Sequence, residues 1–337
     1  MQSSGLTTGT VIVTGGCGFI GSHLVKRLAM SCCDRVVVID KLSYASRGLS
    51  RLNRVREELD TFQKEKIEVW TWDLAHSLSD DMIRSFGEIR AIYHLAASTH
   101  VDNSILNPET EALGNVAATL GVLGLARKLP SLELFLHFST DEVYGECGHD
   151  MSAFAETALV QPSNPYSASK AASEAMCASY ANTYQVPVKT IRCMNVIGLM
   201  QDAEKFLPKL VASCLAGRSI GLHCDDQERW GFRGYLSADD AARAAMYVAE
   251  CGGVGEIYNV PCAQYIDNHT MLKIVSEALG CQPLYHPVKY DAARPGHDIG
   301  YALLGDKIAT LGWEHHDLDM HEVVRRCALA NASDSRP

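Results

Sequence analysis

No run of about 18 apolar residues, the length that crosses a bilayer, occurs in this chain. A membrane-spanning helix is therefore not expected. The start shows no secretory pattern, because Val11–Val13 is a short apolar run leading straight into glycines. The expected location is the cytoplasm. The chain has 12 cysteines but no Cys-x-x-Cys pair, and Cys32 and Cys33 are adjacent. Such spacing suits buried free thiols in a reducing compartment better than a disulfide framework. None of the 13 histidines falls in a His-Glu-x-x-His or similar pattern, so no metal is expected. His315-His316 reads as a solvated pair. Positive charge is not in excess either. The net charge of −10 argues against nucleic acid as the main partner. It still allows an anionic small molecule in a locally positive pocket.

What is present is a core. Apolar residues make up 47% of 337 positions, enough for a large α/β domain with a smaller lobe. Strand-like runs at Thr10–Thr14, Arg35–Asp40, Ile67–Trp72, Ala91–Leu95, Leu132–Ser139 and Val188–Arg192 alternate with helical stretches. The helices are expected at Gly21–Met30, Thr110–Lys128 and Ala168–Tyr184. This alternation predicts a Rossmann-type doubly wound parallel sheet, which binds ligands at the carboxyl ends of its strands. After Arg192 the pattern loosens. Helices are still expected at Lys205–Ala216, Asp239–Cys251 and Asn268–Leu279. We expect residues 1–192 to form the dinucleotide-binding domain, with 234–262 returning to it. Residues 193–233 and 263–332 should form a substrate lobe, and 333–337 a disordered tail.

Gly15, Gly18 and Gly21 give Gly-x-x-Gly-x-x-Gly between the first strand and first helix, with Phe19 and Ile20 inside the motif. Glycine lets a backbone turn tightly against a pyrophosphate, and the helix start offers free N–H groups. Asp40 ends the second strand, nineteen residues beyond Gly21. A carboxylate there can accept from the adenosine ribose hydroxyls and would repel a 2′-phosphate, which favours NAD. Asp73-Leu74 follows the third strand and could meet the adenine edge. Further on, Tyr166 and Lys170 form Tyr-x-x-x-Lys. On a helix, four residues put both on one face. To act as a base near neutral pH, a tyrosine of pKa about 10 must drop by about 3 units, or about 4 kcal/mol. A neighbouring ammonium favours that. The lysine can also hold the nicotinamide ribose.

These features together resemble the extended short-chain dehydrogenase/reductase family. His94-Leu95-Ala96-Ala97 is similar to that family's segment beneath the cofactor, and Thr140 matches the Ser or Thr beside its tyrosine. Ser139-Thr140-Asp141-Glu142-Val143-Tyr144-Gly145 resembles, more narrowly, the dTDP-glucose 4,6-dehydratases. Removing water across C5 and C6 of a 4-keto sugar needs a base and an acid, and adjacent carboxyls with separated pKa values can supply both. The resemblance makes Asp141 the acid and Glu142 the base. Epimerases and decarboxylases share the redox arrangement without needing this pair. An idle NAD-binding scaffold is the reading from another class.

The resemblance runs through nearly the whole chain. Asp40-Lys41-Leu42-Ser43 is similar to the cofactor segment that follows the second strand. Thr99-His100-Val101-Asp102-Asn103-Ser104 resembles the loop by the sugar, with Thr99 at its cofactor end. Asn115 matches an Asn on the next helix. Asn195, then Glu204-Lys205-Phe206, matches a stretch in which Asn195 and Lys205 would approach the diphosphate. Arg233 and Arg294 fall at cation positions, and His297 belongs to Arg-Pro-Gly-His-Asp near the nucleotide. A lysine and two arginines suit a diphosphate. The family also implies a homodimer through the Tyr-x-x-x-Lys helix. Departures sit mostly in the substrate lobe: Val196-Ile197 for Asn-Tyr, Leu199 for Pro, Leu304 for Asp, and a longer stretch Asp225–Phe232. They leave the base open between dTDP and UDP.

Overall fold

The computed structural model describes residues 8–43, 46–289, 299–317 and 319–334. Seven parallel strands make the main sheet: β1 (Thr10–Thr14), β2 (Arg35–Asp40), β3 (Ile67–Thr71), β4 (Ile89–His94), β5 (Leu134–Thr140), β6 (Val188–Cys193) and β10 (Ile257–Val260). Their order is β10-β6-β5-β4-β1-β2-β3. The Val- and Ile-rich runs form central strands because helices cover both faces. Pleating divides them. Val11, Val13, Val36 and Val38 enter one core layer, while Ile12, Val37 and Ile39 enter the other. The first layer lies under α1 (Phe19–Ala29) and, late in the chain, Ala238–Cys251. The second lies under α6 (Pro108–Ala126) and α7 (Pro165–Tyr184).

Four short helices precede α6: α2 (Ser50–Glu57), α3 (Thr61–Glu65), α4 (Asp80–Ser85) and α5 (Val101–Leu106). The sequence pattern did not announce them. In α2 only Arg51, Leu52 and Val55 are buried, too short an apolar stripe to read as a period. The other strands are β7 (Asn195–Ile197), β8 (Ile220–Cys224), β9 (Phe232–Ser237), β11 (Gln264–Asp267) and β12 (Tyr285–Lys289). They form a three-stranded sheet, β11-β9-β7, and a two-stranded one, β12-β8. Helices α8 (Phe206–Leu215), α10 (Asn268–Leu279) and Met320–Asp334 share a separate core around Leu210, Met271, Val275 and Val324.

Two expectations change. His315 is not simply solvated, whereas the His316 side chain is exposed as expected. The His316 and Asp317 N–H groups donate to the Asp240 carboxylate, and the His315 ring packs edge-on against Trp313. The final helix runs to Asp334, into the segment expected to be disordered. Its apolar face packs on α8 and α10, which holds it helical. Residues 335–337 lie outside the described residues. No described helix is long and apolar enough to cross a membrane.

Candidate active site

The order of strands reverses between β1 and β4, so the loops after these strands part and leave a crevice at their carboxyl ends. A cavity of about 410 Å³ opens there. It runs from the glycine loop, past Asp40, Lys41, Ser43, Asp73 and Leu74 on one side, to Thr140, Asp141, Glu142, Tyr166 and Lys170 on the other. Leu95, Ala96, Ala97, Thr99, Asn115, Asn195 and Lys205 complete the wall from the expected set. The sequence did not single out Glu111, Gln201 or Asp202, which also line it.

The glycine loop fits a pyrophosphate for a local reason. Gly15 has φ +71°, and a Cβ there would stand 2.8 Å from Ala96 Cα. A Cβ on Gly21 would meet the Gly15 carbonyl oxygen at 2.1 Å. Helix α1 has no side-chain cap at Gly18, and Phe19, Ile20 and Gly21 face the cavity, so its first N–H groups lie by the ligand space. Asp40 accepts from Cys17 N at 3.1 Å and Leu42 N at 2.8 Å. Leu42 itself is not on the cavity wall.

Tyr166 and Lys170 lie in the first turns of α7. Asn164 caps that helix by accepting from Ser167 N, and Pro165 fits its first position. Asn164 also donates to Glu142 Oε2 at 3.3 Å, linking the helix start to the acid pair. The sequence missed Asn164, although Asn-Pro before a helix was a readable cap. Glu174, one turn beyond Lys170, holds Arg192 of β6 in a buried bidentate pair, and Arg192 lies 4.6 Å over the Tyr144 ring. Tyr144 OH donates to Asn259 at 2.8 Å. These contacts fix the tight turn Asp141–Tyr144 against α7.

Electrostatics separates the titrating groups. Lys170 Nζ donates to the Phe138 carbonyl at 2.7 Å, and burial pushes its amine down to about 8. Asp141 is 2% exposed. Burial first, then the neighbouring Glu142, pushes its carboxyl up to about 8. Thr140 Oγ1 donates to Asp141 Oδ1 at 3.1 Å, while Asp141 Oδ2 has no partner among the described residues. Such a group is protonated at neutral pH and can give its proton to a ligand. The Tyr166 phenol is pushed up rather than down, by burial and then by Glu142 and Asp141. The drop expected from the sequence does not come from the protein's own groups.

Several expected residues stand off the cavity wall. His100 caps α5 by accepting from Asn103 N and lies 3.7 Å from Glu204. Ser104 Oγ donates to the Val101 carbonyl of its own helix. Phe206 packs on the separate lobe core. Arg233 donates to the Phe232 and Ile299 carbonyls and stacks over Tyr301, near enough to Asp141 to pull its carboxyl down. Arg294 and His297 lie outside the described residues.

A doubly wound sheet with a glycine loop at its switch point and a Tyr–Lys pair beside it defines a dinucleotide-dependent redox enzyme. The chain belongs to the NAD dependent epimerase/dehydratase family, whose profile matches residues 11–261. It is 34% identical to a dTDP-glucose 4,6-dehydratase of Neisseria meningitidis over 323 residues, covering 90% of this chain and 88% of the relative. It is 35% identical over 305 residues to an Arabidopsis thaliana trifunctional UDP-glucose 4,6-dehydratase/3,5-epimerase/reductase. That match covers 90% of this chain and 44% of the plant protein, so the chain spans under half of it. A Streptomyces venezuelae dTDP-glucose 4,6-dehydratase solved with NAD and TYD bound superposes with a TM-score of 0.85 at 30% identity. The match covers 97% of this chain and 98% of that one.

Proposed function

We propose that this chain is a nucleotide-sugar 4,6-dehydratase. It would convert an NDP-hexose, dTDP-glucose first and UDP-glucose next, to the 4-keto-6-deoxy sugar. The observation that carries this reading is the Asp141–Glu142 pair, one member buried with a raised pKa, in the same cavity as Tyr166 and Lys170. Bound NAD supplies the hydride acceptor at C4 and the hydride donor at C6. Tyr166 takes the C4 hydroxyl proton with the Thr140 hydroxyl beside it, and Lys170 holds the nicotinamide ribose. Glu142 removes the C5 proton. Asp141 protonates the C6 hydroxyl, which leaves as water. Asn195 and Lys205 face the diphosphate, assisted by Arg233 behind the acid pair. Residues 1–192, with 234–262 returning to them, would hold the cofactor, and residues 193–233 and 263–332 would form the sugar-nucleotide lobe.

Because hydride would return to C6 while Glu142 gives its proton back to C5, product is expected to form with no added NAD and no net NADH. Mass spectrometry after incubation with dTDP- and UDP-glucose would show loss of one water. NADH accumulating in step with product would refute the cycle. Gly21→Ala places a methyl against the Gly15 carbonyl. It is expected to weaken NAD binding by at least about tenfold, or ~1.4 kcal/mol, read by calorimetric titration. Unchanged affinity would remove the glycine loop from the cofactor site.

We also infer a cytoplasmic homodimer. None of the 12 cysteines, all among the described residues, is joined in a disulfide, as a reducing compartment favours. Helix α6, packed beside α7, leaves Leu113 68% and Leu120 37% exposed, an apolar face suited to a second copy.

A further inference from the structure

The turn before α8 is tied to the opposite wall of the cofactor cleft. Arg51 of α2 is 2% exposed at its side chain. Its Nε donates to the Met200 carbonyl at 2.7 Å and its Nη2 to Asp202 Oδ1 at 2.6 Å. Arg47 Nε lies 3.6 Å from the same oxygen. Met200 has φ +68°, a backbone state that non-glycine residues seldom adopt, so contacts must hold the turn in place. Lys205 extends the tie by donating from Nζ to the Thr99 carbonyl at 2.8 Å. The cavity passes between the two sides. Ser43 and Ser46 line it ahead of α2, while Gln201 and Asp202 line it from the turn. Burial pushes the Asp40 carboxyl up, and Arg51 lies close enough to offset a small part of that, at the end where the adenosine ribose would sit.

A buried arginine holding one carbonyl and one carboxylate in different segments is a costly element unless both bonds are kept. Here they join two walls of one cleft. We propose that Arg51 and Asp202 form a retaining strap that closes the cleft over the dinucleotide and slows its exchange. They are positioning residues and do not touch the reacting atoms. The proposal rests on NAD occupying this cleft. It gives a physical reason for an internal redox cycle to keep its cofactor between turnovers: release requires breaking a desolvated ion pair as well as the contacts of the ligand itself.

The test uses the full chain. The double variant R51M/D202L removes both charges and leaves neither buried alone, and circular dichroism confirms its fold. Bound NAD is counted after gel filtration, and its dissociation is followed by chase with labelled NAD. The strap predicts at least tenfold faster dissociation in the variant. Turnover should come to depend on added NAD. Arg51→Lys keeps the buried charge but can reach only one of the two acceptors. It should fall between wild type and double variant, and it serves if the double variant fails to fold. Wild type and both variants holding NAD equally long would overturn the strap alone. A wild-type chain that binds no NAD would overturn the cofactor reading together with it.

Discussion

Asp141→Asn is expected to slow formation of the 4-keto-6-deoxy product by about 10²- to 10⁴-fold, the range a positioned acid or base supplies. Substrate should still drive reduction of bound NAD, because Tyr166 and Lys170 are untouched. Glu142→Gln should give the same pattern by blocking removal of the C5 proton. Two features separate this loss from unfolding. The first is pH. Burial and Glu142 push the Asp141 carboxyl up to about 8. The proton it delivers is therefore present below that pH, and the rate of dehydration should fall as pH rises through about 8. The second is stability. An unfolded aspartate titrates near about 3.9. The folded chain thus holds a proton at Asp141 that the unfolded chain has lost. Stability from this group is complete below about pH 4 and is lost as pH rises to about 8. Asparagine carries no such linkage, so Asp141→Asn should melt at a higher temperature than wild type at pH 8 while being far less active. Single-turnover absorbance and thermal melts across pH check both. Turnover unaffected by either substitution would break the acid–base assignment, and an inactive variant that melts lower would make the loss structural.

The sequence made the contiguous parts legible. Apolar Val–Ile runs pointed to six of the seven main strands, because strands buried on both faces must be apolar throughout. The seventh, β10, has only Ile257–Val260, and its neighbour β6 rather than its own pattern makes it a strand. The site showed the same division. Gly15 to Gly21, Thr140 to Glu142 and Tyr166 to Lys170 are local spacings with local geometry. What escaped was pairing across the chain. Arg51 meets Asp202 across 151 positions, and Arg192 meets Glu174 across 18. No periodicity encodes such partners. The long stretch Asp225–Phe232 was visible only as extra length. In the structure Asp225 accepts from Gln227 N and Arg229 N, Trp230 bridges back to Cys224, and its ring stacks on His269. It is a self-capped turn that leaves β8 and leads into β9.

Tyr166→Phe should be the more severe lesion, because it stops the first step instead of the second. Asp141→Asn is expected to leave substrate oxidation intact. Tyr166→Phe should abolish it, so that adding substrate produces no NADH absorbance and product formation drops by at least about 10²- to 10⁴-fold. The electrostatics explains why the phenol cannot act unaided. The ring is 9% exposed. Burial and the two neighbouring carboxyls push it up, and only the Thr140 hydroxyl is seen to pull the other way. Reaching phenolate near neutral pH means reversing that shift and gaining about 4 kcal/mol beyond it. Lys170 can give part of this while its amine stays protonated, which burial limits to pH values up to about 8. A cationic ring bound against Tyr166 can give the rest. Oxidation should therefore depend on the ammonium as well as the phenol, and Lys170→Met should lose NADH formation as Tyr166→Phe does. Ultraviolet titration of the protein freed of nucleotide should show no Tyr166 phenolate below pH 10. A phenolate already present near neutrality, or Tyr166→Phe that still reduces NAD on mixing with substrate, would mean that another group takes the C4 proton.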